Sequence, residues 1–390
     1  MTNTVRITLI SFLTYFVLSA MLAPIGIISG PMAVHFEQPI TEITRQFSWL
    51  TGGIFIGAVL ALFVFDWFGL RKLFIVIYSA MALALFSLYV VETLTYSRVI
   101  LGIVGVGSGI GLAGAALTIS RTYDESRRAS MLVLTDSCFS IAGFACAALA
   151  SYLIAIKLGW SSTYQLIGLI AVVIIILGCF SKFPDVKAAD FEENESDPWS
   201  ASVWLCIASL FLYTLGQYSI LFWLPNYAET RLGATATDAG VLIGQFWLGM
   251  FVAQLFVAWW VLKIGVRNLV LTAALATVAC SIPLWLIADI NTLSMLTLIW
   301  GFANLGMLKA ILSLATQMVH LPSARLVSLL LLGATLGTAI SPALTSTIVE
   351  WTDNKTILMF GSGCYGSLAL LMVIAIKIAR PPTVTIAAGD

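Results

Sequence analysis

The sequence predicts an all-α integral membrane protein of twelve transmembrane helices arranged as two pseudo-symmetric six-helix bundles. Three observations carry this. First, 60% of the 390 residues are hydrophobic and only 10% are charged, against roughly a quarter charged in an ordinary soluble domain; the mean hydropathy is +1.01. Second, the apolar residues fall into segments of about 20, the length that crosses a bilayer as a helix. Third, the one long polar run, Lys182 to Ser200, stands close to the middle of the chain and carries eight charged side chains, two basic and six acidic.

Six segments precede that run: Ile7 to Gly30, Phe47 to Phe65, Leu73 to Val91, Val99 to Ser120, Met131 to Ile156 and Thr163 to Ser181. Six follow it: Ala201 to Leu224, Ala239 to Leu262, Leu269 to Ala288, Ser294 to Met318, Leu326 to Val349 and Thr356 to Ile378. The chain therefore divides into an N-terminal half (1–181), a solvated linker (182–200) and a C-terminal half (201–390). The linker is acidic and has little to bury. Arg6 and the apolar run behind it resemble a signal peptide, but the run is longer than a usual signal core and lacks a cleavage site, so it is expected to be the first span.

Orientation follows from the basic residues between spans, which concentrate on the cytoplasmic side. With both termini inside, thirteen Lys and Arg fall in cytoplasmic segments and five (Arg45, Arg98, Lys157, Arg231, Lys355) in outer ones, while Lys309 lies within a span. A net charge of zero and the absence of long basic clusters argue against a nucleic-acid partner. The six cysteines are scattered singly in apolar segments, and His35 and His320 lie in loops on opposite sides of the membrane. No disulfide framework or metal site is expected.

The two halves repeat a loop. Asp66-Trp-Phe-Gly69-Leu-Arg71-Lys72 follows the second span and Leu262-Lys-Ile-Gly265-Val-Arg267-Asn268 the eighth, with the glycines 196 residues apart. Such a repeat is expected when two parallel six-helix units are related by an axis along the membrane normal. Gly69 and Gly265 are expected to permit the sharp turn, and Arg71 to reach carbonyls at a helix end or to pair with Asp66.

Twelve spans, a central loop and this D-x-x-G-x-R-K loop resemble the major facilitator superfamily over essentially the whole chain. Within it, Leu134-Thr-Asp136-Ser-Cys-Phe-Ser140-Ile-Ala-Gly143, Leu215-Gly-Gln217 and Trp223-Leu-Pro225-Asn-Tyr227-Ala resemble the TsgA-type proteins near the fucose–proton symporter branch. The resemblance implies a secondary transporter of the inner membrane that rocks two halves about a midplane site, takes a small-molecule substrate with or without a coupling ion, uses no cofactor and works as a monomer. It also implies that spans one, four, seven and ten line the cavity, which makes Tyr15 and Ser19 candidates. The chain departs from the family in having Leu62 where the loop usually has a glycine. Spans one and four hold no Asp or Glu, unlike the fucose symporter pattern, so proton-coupled sugar symport is only the alternative. A channel would need charge rings or a carbonyl filter, and a membrane-embedded enzyme a nucleophile, base or metal cluster; neither is visible.

Ionisable residues inside spans cost about 2.5–3.5 kcal/mol at the bilayer centre and mark cavities or partners. Asp136 and Lys309 are the two clear cases. Lys309, Ser313 and Thr316 share a face of span ten, with Asn304 about 140° away from Lys309; Asp136, Ser140 and Gly143 form a narrow polar face on span five. Gln217 in span seven, and Gln245 with Trp247 in span eight, are further candidates for substrate contact or interhelical hydrogen bonding. Gly109-Ile-Gly111-Leu-Ala-Gly114 matches a dinucleotide pattern but lies inside span four, where it predicts close helix packing instead. At 1.5 Å per residue, Asp136 and Lys309 sit about 12 and 17 Å inward from the nearest loop markers. Side chains lean toward a helix N-terminus, which aims Asp136 at the cytoplasm and Lys309 at the membrane centre. The expectation is accordingly a free cavity cation at Lys309 with Asp136 as a gate or coupling residue, and a direct salt bridge as the alternative.

Overall fold

The structure is a computed structural model and describes residues 2–184, 199–304, 306–319 and 324–379. Most of the linker, His320 and the side chain of Asp66 therefore lie outside the described residues. Twelve helical segments among the described residues are long and apolar enough to cross a membrane.

The first span is two helices, α1 (Asn3–Leu22) and α2 (Ile25–Phe36), where the sequence predicts one. Pro24 stands at the junction; without an N–H it cannot continue the ladder of α1, but it suits the start of a new helix. The second span likewise joins α3 (Ile40–Gln46) to α4 (Ser48–Trp67). The first half is completed by α5 (Leu70–Ser87), α6 (Leu94–Thr122), α7 (Glu125–Ala155) and α8 (Ser162–Cys179). In the second half, α9 (Ala201–Leu232) is followed by α10 (Ala236–Ser281), which holds spans eight and nine. The tenth span is broken into α11 (Ile290–Ala303) and α12 (Met307–Thr316), and α13 (Ala324–Trp351) and α14 (Asn354–Ile378) close the chain. Several starts are capped from the sequence: Thr93 accepts from the Tyr96 amide, Thr235 and Asp238 form a capping box, and Asp289 and Asp353 accept from the amides three residues on.

The repeated loop splits in its reasons. Gly265 has φ 76°, the left-handed region that only glycine enters without strain. Gly69 has φ −61° and ψ 140°, a conformation open to any residue, so its turn does not require glycine. Arg71 donates to the carbonyl of Cys179 at the end of α8, the helix-end contact that was one of its two expected partners. Lys72 is exposed.

Helix pairing repeats between halves. In the first, α4 packs on α6 and α1 on both α7 and α8; in the second, α10 packs on α11 and α9 on both α13 and α14. The glycines of span four act as the sequence predicts: a Cβ on Gly109 would collide with the Ile54 carbonyl, and one on Gly57 with that of Val106. Gly301 and Gly249 repeat the arrangement, facing the Phe246 and Leu298 carbonyls. Small residues let the backbones meet, so van der Waals contact rather than apolar burial holds these pairs in lipid. The halves touch where α4 meets α13, α7 meets α10 and α2 meets α9. The first two contacts exchange under the same repeat.

Candidate functional site

Between the halves lies a cavity of about 300 Å³ lined from both of them. It extends from the middle of the bundle, at Leu22 of α1, to the last turns of α4 at Leu62 and the first turns of α13 at Ser328. Those turns belong to the face that carries the N-terminus, where Asn3 and Lys182 exchange two hydrogen bonds of 2.8 Å.

On the opposite face the halves are in contact. Gly26 of α2 lies against α9 so closely that a Cβ would stand 2.8 Å from the carbonyl oxygens of Leu221 and Phe222. Arg45 of α3 pairs with Glu350 of α13 at 2.6 Å and with Glu42 at 3.1 Å, and Glu42 also takes Arg98 of α6. Thr51 of α4 donates to the Ala339 carbonyl of α13 at 3.2 Å.

Across the cavity, Lys309 Nζ of α12 meets Asp136 Oδ2 of α7 at 2.7 Å. This corrects the expectation of a free cation. The projection assumed one unbroken helix through span ten, whereas the chain stops at Ala303, passes Gly306 with φ 62° and restarts at Met307. Lys309 thus sits in the first turn of a new helix whose direction is set after the break. The pair is 40% and 30% exposed at Lys309 and Asp136, and both side chains line the cavity.

Gln254 of α10, which the sequence did not single out, donates to Asp136 Oδ2 at 3.3 Å and to Ser140 Oγ at 3.2 Å. The Asp136–Ser140 face thus gains a partner from the other half. Gln254 lies nine residues beyond Gln245, a half-integral number of turns, so the two glutamines point to opposite sides of α10. Its signal was a lone amide in the apolar stretch Phe251-Val-Ala-Gln254-Leu-Phe256.

Of the other candidates, Tyr15 and Gln217 line the cavity, whereas Gln245, Asn304, Ser313 and Ser19 are not among its lining residues. Asn304 is fully buried at the helix break and donates to the Trp300 carbonyl at 2.7 Å. Ser313, whose carbonyl accepts from Thr316 Oγ1, follows Lys309 by four residues in the same α12 and so shares its face without lining the cavity. Trp247 stacks edge-on with Phe139 at 5.4 Å and covers Gly143; it is packing between α7 and α10. Tyr213, Tyr218 and Thr214 of α9 line the wall beside Gln217. Among the described residues no group of three His, Cys, Asp or Glu could hold a metal ion; His35 instead packs on Phe36 and Trp160.

Known proteins share this architecture. The chain is 29% identical over 386 residues to the protein TsgA of Shigella flexneri, covering 97% of this chain and 96% of that one. It is 28% identical to the TsgA homolog of Citrobacter koseri, with 95% of each covered. In fold it is similar to the crystal structures of a nucleoside transporter, NupG (TM-score 0.71, 15% identity, 97% of this chain and 100% of that one), and of a D-xylose–proton symporter (TM-score 0.75, 14% identity, 97% and 99%). Residues 7–325 match the family model of the Major Facilitator Superfamily, and with twelve spans in two repeated halves around a cross-half cavity, the chain belongs to that superfamily.

Proposed function

We propose that the protein is a secondary active transporter that carries a small polar or anionic solute by alternating access. The observation that carries this is the cavity itself. It is bounded by both halves, bridged by one ion pair between them, and reaches toward the terminal face while α2 and α9 are in contact on the other. A rocking of the halves about the bundle centre would exchange which face is sealed and change the Asp136–Lys309 distance. Asp136, Lys309, Gln217 and Tyr15 are the substrate or coupling residues in this reading, and Arg71 anchors α5 to α8 while the halves move. The protein takes a small-molecule substrate, with or without a coupling ion, and acts as a monomer.

It is a multi-pass inner membrane protein whose termini and linker face the cytoplasm, supported by the thirteen-to-five division of basic residues; outside labelling of Ser196→Cys in intact cells would contradict that orientation. Uptake into liposomes, with and without an imposed ion gradient, tests the transport reading. Saturable uptake that exchanges with internal solute is the expected result, whereas unsaturable flux without exchange indicates a channel. No flux of any solute would remove the reading.

A further inference from the structure

We infer that the substrate of this cavity is a zwitterion that carries a cationic and an anionic group and has no net charge. The inference rests on the transport reading above and names the solute class it takes. Among the described residues lining the cavity, Asp136 and Lys309 are the only ones with a formal charge, and they come from different halves. They neutralise each other at 2.7 Å in the present state. Their separation changes when the halves rock, and two charges parted at membrane depth each lose the partner that compensates their desolvation.

The occupant that restores both is one that offers a carboxylate or similar anion to Lys309 and an ammonium-type cation to Asp136. A solute with only an anion would satisfy Lys309 and leave Asp136 bare; a cation would do the reverse, and an uncharged sugar would compensate neither. The ends of the pair are accessible for such an exchange, since both side chains are partly exposed into the cavity. Gln254, from the same half as Lys309, also donates to Asp136, but it is neutral and cannot replace the charge when the halves part. The α12 N-terminus, two residues before Lys309, adds positive potential for the anionic group.

The rest of the molecule meets neutral groups. Tyr213, 2% exposed, and Gln217, 3% exposed, line the wall with the Tyr213 hydroxyl and Gln217 Oε1 buried and without a hydrogen-bond partner. Around 300 Å³ holds a solute of amino-acid size with its nearest waters, since a water occupies about 30 Å³ in the liquid.

The test is thermal unfolding of the purified full-length protein in detergent, with a panel of matched probes: the common amino acids and betaines, the corresponding carboxylic acids without the amino group, and the corresponding amines without the carboxylate. We expect at least one zwitterion to raise the melting temperature while its singly charged counterparts do not. Binding should weaken by a factor of about ten or more in Asp136→Asn and in Lys309→Met, each checked for folding by gel filtration. A simple acid that binds, with the shift growing at lower pH, would replace the zwitterion by an anion taken up with a proton. That result overturns the inference while leaving the carrier reading intact, as would binding by an amine or a sugar. Zwitterion binding unchanged in both variants, or no shift with any probe, also overturns it; the liposome exchange assay then decides the carrier reading separately.

Discussion

Lys309 Nζ and Asp136 Oδ2 stand 2.7 Å apart, one charge from each half, and they form the one cross-half ion pair lining the cavity among the described residues. Removing one partner leaves the other uncompensated, which costs more than the 0–1 kcal/mol of a surface pair and less than a fully buried one. With both side chains partly exposed, a loss on the order of 1–3 kcal/mol is expected for either single change. Asp136→Asn and Lys309→Met should each depress transport, and the double variant should regain part of it, because neither charge is then stranded. Uptake at matched expression is the measurement; full activity in both single variants would contradict the role.

Gln254 is held to Asp136 and Ser140 by hydrogen bonds of 3.2–3.3 Å, long enough that their stabilising share is modest. Interhelical hydrogen bonds in membranes average about 0.6 kcal/mol. Gln254→Leu should therefore lower thermal stability only slightly, while it lowers the transport rate by loosening the Asp136 carboxylate across the halves. Uptake at matched expression that overlays wild type would show that Gln254 does not position Asp136.

Gly26 faces two backbone carbonyls that cannot yield as a side chain would. Gly26→Ala should push α2 from α9 and shift the population toward the state open on that face, since a perturbation that strains one conformation favours the other. In a cysteine-free background, Gln217→Cys lines the cavity and reports this through a membrane-impermeant maleimide applied from the side opposite the termini. Faster labelling in the Gly26→Ala variant is expected. An unchanged rate would mean that the helices accommodate the methyl group without opening.

Asp353 caps α14 through Thr356, whose hydroxyl and backbone amide hold its carboxyl below the usual range, with Arg231 at 2.6 Å adding to the effect. A depressed folded-state value means that the stabilisation is present at pH above the ordinary carboxylate range and is lost as pH falls through the folded value. Asp353→Ala should cost about 1 kcal/mol, the usual worth of such a cap, at neutral pH. The difference from wild type should disappear in strongly acidic buffer. Chemical denaturation at the two pH values measures it.

Much of the architecture is a property of single segments, which is why it was legible without coordinates. Length and apolar content define each span because a bilayer asks for about 20 residues, and the 196-residue spacing of Gly69 and Gly265 marks the repeat because both halves use one loop. The glycines of span four announced close packing for a similarly local reason: a missing Cβ is a missing obstacle wherever the partner comes from. Asp136, Lys309, Gln217 and Tyr15 stood out, and they do line the cavity, because polar groups at membrane depth need something to face.

How those residues meet depends on packing between segments far apart in the chain. Helical-wheel angles and depth counts presuppose a continuous helix, and the break between Ala303 and Met307 resets both at the point where Lys309 follows. The same calculation had aimed Lys309 away from Asp136, whereas Ser313, beyond the break in the same α12, keeps the face it was expected to share with Lys309. Gln254 was equally beyond reach, since its significance depends on α7 lying against α10, a contact between segments more than a hundred residues apart. Twelve spans, their repeat and the charges inside the spans can be read from the chain alone, because hydrophobicity and helix length act along it. Which charge neutralises which was decided by packing between the halves, because a salt bridge depends on distances that no spacing along one helix contains.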